Sequence, residues 1–285
     1  MISYFQAIIL GALQGVSELF PISSLGHSVI FPSLVGWHID QHAPYFLTFL
    51  VATHLGTAVV LFLFFWKDWR RIIMGVVKSL KEREIKDTNA KLGWLLIVGT
   101  IPAGILGILF QEKIQSFFAS PRTTALFLMV NGVILLAAEM LRRKRMLRVQ
   151  SDVWSDERIA RLTWLQSIGV GAAQAIALIP GFSRTGASLS GGLLMGMTHE
   201  DAARFAFLLA TPIIFGAAVI KLPELASAGE KIILGQAIVG AICAAITAYF
   251  SVKFLTKYFQ TQTLIPFALY CFIAGGVASL LLFFR

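Results

Sequence analysis

At 285 residues, 57% hydrophobic and 14% charged, the chain carries far fewer charges than the roughly 25% of an ordinary soluble domain. Its apolar residues run in blocks of about twenty, the length that crosses a bilayer's hydrocarbon core. Composition therefore excludes a disordered chain, a disulfide scaffold and a nucleic-acid module, and leaves an all-α polytopic membrane protein whose net charge of +9 orients the spans and requires no nucleic acid.

The chain opens Met1-Ile2-Ser3-Tyr4-Phe5 with no basic segment and no small-residue cleavage site ahead of the polar Gln14 and Glu18, so no removable signal peptide is expected. Residues 2–37 are apolar but broken by Pro21 and a polar cluster. The part after the break is too short to cross, and a re-entrant helical hairpin is predicted. Spans are predicted over about 44–66, 92–110, 122–141, 203–222, 232–252 and 264–284. Between the third and fourth, residues 162–197 are broken by Pro180-Gly181 and Ser183-Arg184-Thr185 and read as a second hairpin.

The loop over residues 67–91 holds eight Lys/Arg against four acids, and residues 142–161 hold seven against three. Both are expected on the cytoplasmic side, which leaves the connections near 111–121 and 221–231 outside. Cys243 and Cys271 lie in apolar blocks without ligand spacing and read as small hydrophobes. The tryptophans cluster near span ends, as interface anchors do.

The two broken stretches are copies. At an offset of 160, residues 11–26 align without gaps to residues 171–186, with Gly11, Ala12, Gln14, Ser23 and Gly26 repeated as Gly171, Ala172, Gln174, Ser183 and Gly186. One hairpin plus three spans makes each half. Because three is odd, the second copy must enter from the opposite face. The reading is one membrane domain, 1–285, with a first repeat over 1–145 and an inverted second repeat over 160–285, the breaks meeting near the midplane.

Gln14 and Glu18 are four apart and share a helix face. A carboxylate at membrane depth costs about 3 kcal/mol on insertion scales unless it meets a wet cavity or a partner. The pair reads either as a metal or proton-handling site or as a buried polar contact, and spacing alone leaves both open. Ser23 or Ser24 is the expected N-cap of the half-helix after the break, whose free N–H groups attract an anion. His27, three residues after Ser24, could reach the same side as acid or base, or could sit at the interface. Arg184 occupies the repeat position of Ser24 and suits either bidentate phosphate recognition or an ion pair with Glu18. His54 falls inside a span, where bonding a backbone carbonyl is the simpler reading. His38, His42 and His199 are expected to be interfacial.

The stretch over residues 14–27, (Glu/Gln)xxxGlu followed by Pro-x-Ser-Ser-x-Gly-His, and the run Pro180-Gly181-Phe182-Ser183-Arg184-Thr185-Gly186 together resemble the undecaprenyl-diphosphate phosphatases, the bacitracin-resistance proteins; residues 101–107 are also similar. The resemblance implies hydrolysis of the terminal phosphate of the C55 isoprenoid carrier diphosphate, at the outer face of a bacterial cytoplasmic membrane. Carried over by position, it implies Glu18, Ser24, His27 and Arg184 as catalytic residues and Gln14, Ser23, Ser183, Thr185 and Gly186 as substrate-binding ones. It further implies a divalent cation, Mg²⁺ or Ca²⁺, on Glu18 and Gln14. A polyprenyl diphosphate and membrane lipids are the expected partners, and a homodimer is one assembly open to the chain. Gln14 stands where many members have Glu and Thr185 where many have Ser; the first weakens two-carboxylate metal binding, since an amide is a poorer ligand for a hard cation. A lipid-carrier transporter is the alternative that an inverted repeat with broken helices also suits.

Overall fold

The computed structural model describes residues 1–110, 120–145, 155–227 and 233–284. Among these residues the chain is all helix: α1 (Tyr4–Leu19), α2 (Ser24–Leu34), α3 (Pro44–Phe64), α4 (Trp66–Glu82), α5 (Thr88–Leu109), α6 (Pro121–Arg145), α7 (Ser155–Ala160), α8 (Trp164–Ala175), α9 (Arg184–Leu194), α10 (His199–Ser227), α11 (Leu234–Tyr258) and α12 (Ile265–Phe283). Six of them, α3, α5, α6, α10, α11 and α12, are long and apolar enough to cross a membrane. Their positions match the six predicted stretches to within a few residues. The expected outer connection near 111–121 lies almost wholly outside the described residues, as do parts of the 142–161 and 221–231 loops.

The two short-helix pairs start and break alike. Ser3 caps α1 and Thr163 caps α8, each in a capping box completed by the glutamine three residues on, Gln6 and Gln166. A residue pair that satisfies two free N–H groups reciprocally is a strong start signal. It recurs here at the same offset of 160. After the first break Ser23 caps α2 through the Gly26 N–H, and after the second Ser183 caps α9 through the Gly186 N–H.

Packing partners exchange between the halves in a way compatible with the repeat. Helix α1 packs on α11 as α8 packs on α5, α2 touches α12 as α9 touches α6, and α6 and α12 pack on each other. Lipid supplies no hydrophobic drive between helices, so close backbone approach through small residues holds them. A Cβ on Gly11 would overlap the Gly240 carbonyl oxygen, and one on Gly171 the Gly99 carbonyl oxygen. Helix α10, the most buried span, runs through the core with Phe205, Phe207, Leu208 and Leu209 enclosed.

Two features differ from expectation. Residues 66–82 form a helix rather than a loop, because Ile72, Gly75 and Ser79 recur on one face that packs on α5, with Gly75 against the Ala90 backbone. His199 is buried rather than interfacial, its Nε2 2.7 Å from Glu139, whose carboxylate also accepts the Leu264 N–H at the start of α12.

The glycine crossings should be intolerant of any side chain. Gly171→Val is expected to lower the thermal midpoint in detergent by an amount equivalent to about 1–3 kcal/mol, as overpacking does, while Gly216→Ala, with open space around it, should leave the midpoint unchanged.

Candidate active site

The site forms where the two breaks meet. Helix α1 ends at Leu19, and residues 20–23 turn the chain through a non-helical stretch in which Ser23 has φ 70°. A non-glycine residue held there costs on the order of 1–3 kcal/mol and persists only when its surroundings over-determine it. Ser23 is pinned by its Oγ, which accepts the Gly26 N–H at 3.1 Å. The second break uses Gly181, φ 101°, where a Cβ would press on Phe127 and the Thr124 carbonyl.

Glu18, 5% exposed at the end of α1, is the hub. Its Oε2 accepts the Ser24 hydroxyl and the Gln14 amide N–H at 3.1 Å, and lies 3.2 Å from His54 Nε2. Its Oε1 lies 3.7 Å from Arg184 of the second break. The Thr185 hydroxyl donates to the Glu18 backbone carbonyl at 2.8 Å, so the first turn of α9 is tied to the last turn of α1. The two breaks are thus joined by a carboxylate facing a guanidinium and by a hydroxyl-to-carbonyl hydrogen bond. A small cleft lined by Glu18, Ser24, Leu25, Ala177, Phe182, Ser183 and Arg184 opens here, with room for about one water molecule.

Each sequence-predicted residue can now be placed. Glu18, Ser24, Arg184, Gln14 and Thr185 converge, whereas Ser23, Ser183 and Gly186 spend their polar groups on capping, although Ser183 also lines the cleft. His27 does not stand beside Ser24. Its Nδ1–H donates to the Ser23 carbonyl at 2.7 Å, which turns the ring towards α12, where Nε2 accepts the Tyr270 hydroxyl at 2.7 Å. The histidine at the carboxylate is His54 of α3. It does bond a backbone carbonyl, donating from Nδ1 to Leu50 at 2.7 Å, but that bond fixes the ring so that Nε2 faces Glu18.

Sequence reading passed over Asn131, which is 1% exposed on α6. Its amide donates to the Pro21 carbonyl at 3.0 Å and its oxygen accepts the Ser183 N–H at 3.0 Å. One side chain therefore satisfies a main-chain group in each break. The signal was an asparagine midway along a predicted span, between apolar residues 125–130 and 133–138.

The donor set bears on the implied cation. The Gln14 amide must turn its N–H towards Glu18, since its carbonyl would repel the carboxylate, and this leaves Gln14 Oε1 buried without a hydrogen-bond partner, as is Glu18 Oε1. Both are acceptor oxygens of the kind hard cations take. Among the described residues no group of three His, Cys, Asp or Glu side chains forms a metal cluster.

Residues 7–277 match the family described as Bacitracin resistance protein BacA. A protein of Mycolicibacterium paratuberculosis named Undecaprenyl-diphosphatase is 44% identical over 301 residues, covering 100% of this chain and 99% of that one. Undecaprenyl-diphosphatase 2 of Burkholderia thailandensis is 45% identical over 269 residues, covering 94% and 93%. Undecaprenyl-diphosphatase of Acidiphilium cryptum is 42% identical over 281 residues, covering 97% of each.

Asn131→Ala should orphan a buried carbonyl and a buried N–H together, at about 1–3 kcal/mol each. The expected readout is a lowered thermal midpoint in detergent, with Asn131→Asp, which keeps the acceptor for Ser183, falling between Asn131→Ala and wild type.

Proposed function

The chain belongs to the bacitracin resistance protein BacA family, and we propose that its two helix breaks form one active site in which Ser24 and Arg184 act on opposite sides of a single phosphoryl group. The protein is a multi-pass membrane hydrolase, an undecaprenyl-diphosphate phosphatase. Water and undecaprenyl diphosphate give undecaprenyl phosphate and inorganic phosphate, returning the lipid carrier to peptidoglycan synthesis and conferring bacitracin tolerance. The observation that carries the site assignment is the Glu18 hub: a carboxylate of the first break holds the Ser24 hydroxyl and faces the guanidinium of the second.

Phosphoryl transfer is mostly positioning and charge stabilisation. Arg184 supplies a fixed positive charge beside the cleft, and the capped half-helices α2 and α9 present their N-termini to it, where anions are favoured. Ser24 Oγ attacks the terminal phosphorus as its proton passes to Glu18. The bond to the bridging oxygen breaks, and undecaprenyl phosphate leaves with that electron pair. Water then attacks the phosphoserine, giving inorganic phosphate and returning the proton to Ser24. In this scheme His54 and Gln14 hold the carboxylate in place. His27, anchored between Ser23 and Tyr270, steadies the first turn of α2.

Gln14 Oε1 and Glu18 Oε1 are the two oxygens that would hold a divalent cation, whose chemistry there is to neutralise charge on the substrate phosphates. Two protein oxygens suit Mg²⁺, which keeps waters and takes phosphate oxygens, better than Ca²⁺, which seeks more protein ligands. Loop charge supports an inner-membrane orientation with α4 and α7 on the cytoplasmic side, and the cleft serving substrate at the outer face.

Purified protein given a polyprenyl diphosphate in detergent should release phosphate, and Ser24→Ala and Arg184→Lys should each lose on the order of 100-fold or more in kcat with unchanged thermal midpoints. Near-normal turnover by Arg184→Lys would remove that residue from the site, and acid-stable phosphoserine should appear on wild type but not on Ser24→Ala. EDTA should suppress release and Mg²⁺ restore it. His54→Ala should lower kcat more than Tyr270→Phe if Glu18 takes the proton, and the reverse order would return that role to His27.

A further inference from the structure

Helix α4 belongs neither to the site nor to the six spans, yet it is built for contact. Its inner face, Ile72, Gly75 and Ser79, packs on α5. Beside that face Trp66, Ile73, Val77 and Leu80 form a second apolar stripe, each between 45% and 59% exposed. The next strip around the helix carries Lys67, Arg70, Arg71, Lys78 and Lys81, all exposed. Val59 and Leu63, on the span α3 that leads directly into α4, are exposed as well.

The charges on α4 are unbalanced. Asp68 is engaged by Arg71 at 2.5 Å and by Arg204 at 3.1 Å, and Glu82 by Lys78 at 3.9 Å. Lys67, Arg70 and Lys81 have no acidic partner among the described residues. A helix whose apolar stripe adjoins an unpaired basic strip has the form of an in-plane interfacial helix, with its apolar residues at the acyl boundary and its long basic side chains reaching the headgroups.

We propose that α4 is a docking surface for anionic phospholipid in the leaflet at the α3–α5 end of the molecule. Trp66, Ile73, Val77 and Leu80 enter the acyl boundary, and Lys67, Arg70 and Lys81 bind the headgroup phosphates. A soluble acidic protein would match the charges but not the apolar stripe, which lies on a helix that follows a membrane span after a single residue. The proposal does not depend on the phosphatase reading.

The full-length protein in nanodiscs of mixed phosphatidylglycerol and phosphatidylcholine tests it. Native mass spectrometry should show phosphatidylglycerol retained in preference, and Lys67→Gln/Arg70→Gln/Lys81→Gln should weaken that preference. At roughly fivefold per cation near an anionic surface, the loss is on the order of 100-fold. Lys67→Arg/Lys81→Arg should keep it, and unchanged thermal midpoints in detergent would show that both variants fold. A nitroxide on Val77→Cys, in a Cys243→Ser background, should relax with oxygen rather than with a water-soluble nickel complex. Undiminished phosphatidylglycerol preference in the triple variant would overturn the headgroup contact. Nickel accessibility at position 77 equal to that of a label at exposed Glu84 would overturn the interfacial placement and leave the face to a soluble partner.

Discussion

A buried polar group left unpaired costs several kcal/mol, and a chain that breaks a helix in the protein interior exposes many at once. The protein breaks two. Everything around the site follows from how those groups are satisfied: Ser23 and Ser183 cap the half-helices, Thr185 reaches the Glu18 carbonyl, and Asn131 serves Pro21 and Ser183 together. The breaks satisfy each other and are therefore held together. A site that needs two elements at fixed separation is a consequence of that pairing.

The same constraint governs charge. Glu18 is tolerated in the interior because Ser24, Gln14, His54 and Arg184 surround it. The carboxylate of Glu18 thus faces a guanidinium and an imidazole as well as two neutral donors. The gain from such a buried pair against a hydrophobic replacement is small.

Helix packing supplies the precision. Close glycine crossings, Gly11 on Gly240 and Gly171 on Gly99, seat α1 and α8 against the long spans α11 and α5. Because α1 and α8 carry the breaks at their C-terminal ends, a shift at either crossing would move Glu18 relative to Arg184. The crossings are thus part of the geometry of the site although they lie away from it in sequence.

Much of this was legible in the chain itself. Apolar blocks of bilayer length located six spans, and proline followed by serine located both breaks, because each signal is local: span length, a missing N–H, a cap. The offset of 160 paired the breaks, and the convergence of Glu18, Ser24 and Arg184 followed from that pairing. Which histidine meets the carboxylate was a different kind of question. His27 lies close to Ser24 in sequence, but its Nδ1 bond to the Ser23 carbonyl turns it to Tyr270, while His54, thirty-six residues from Glu18, arrives on another helix. Asn131 and the amphipathic α4 were missed for the same reason, since an asparagine in a span and a charged stretch after one acquire meaning only from the surfaces opposite them. Sequence determined the elements and the residues able to do chemistry; the rotation of each helix about its axis, which decides what a side chain faces, was settled only by packing.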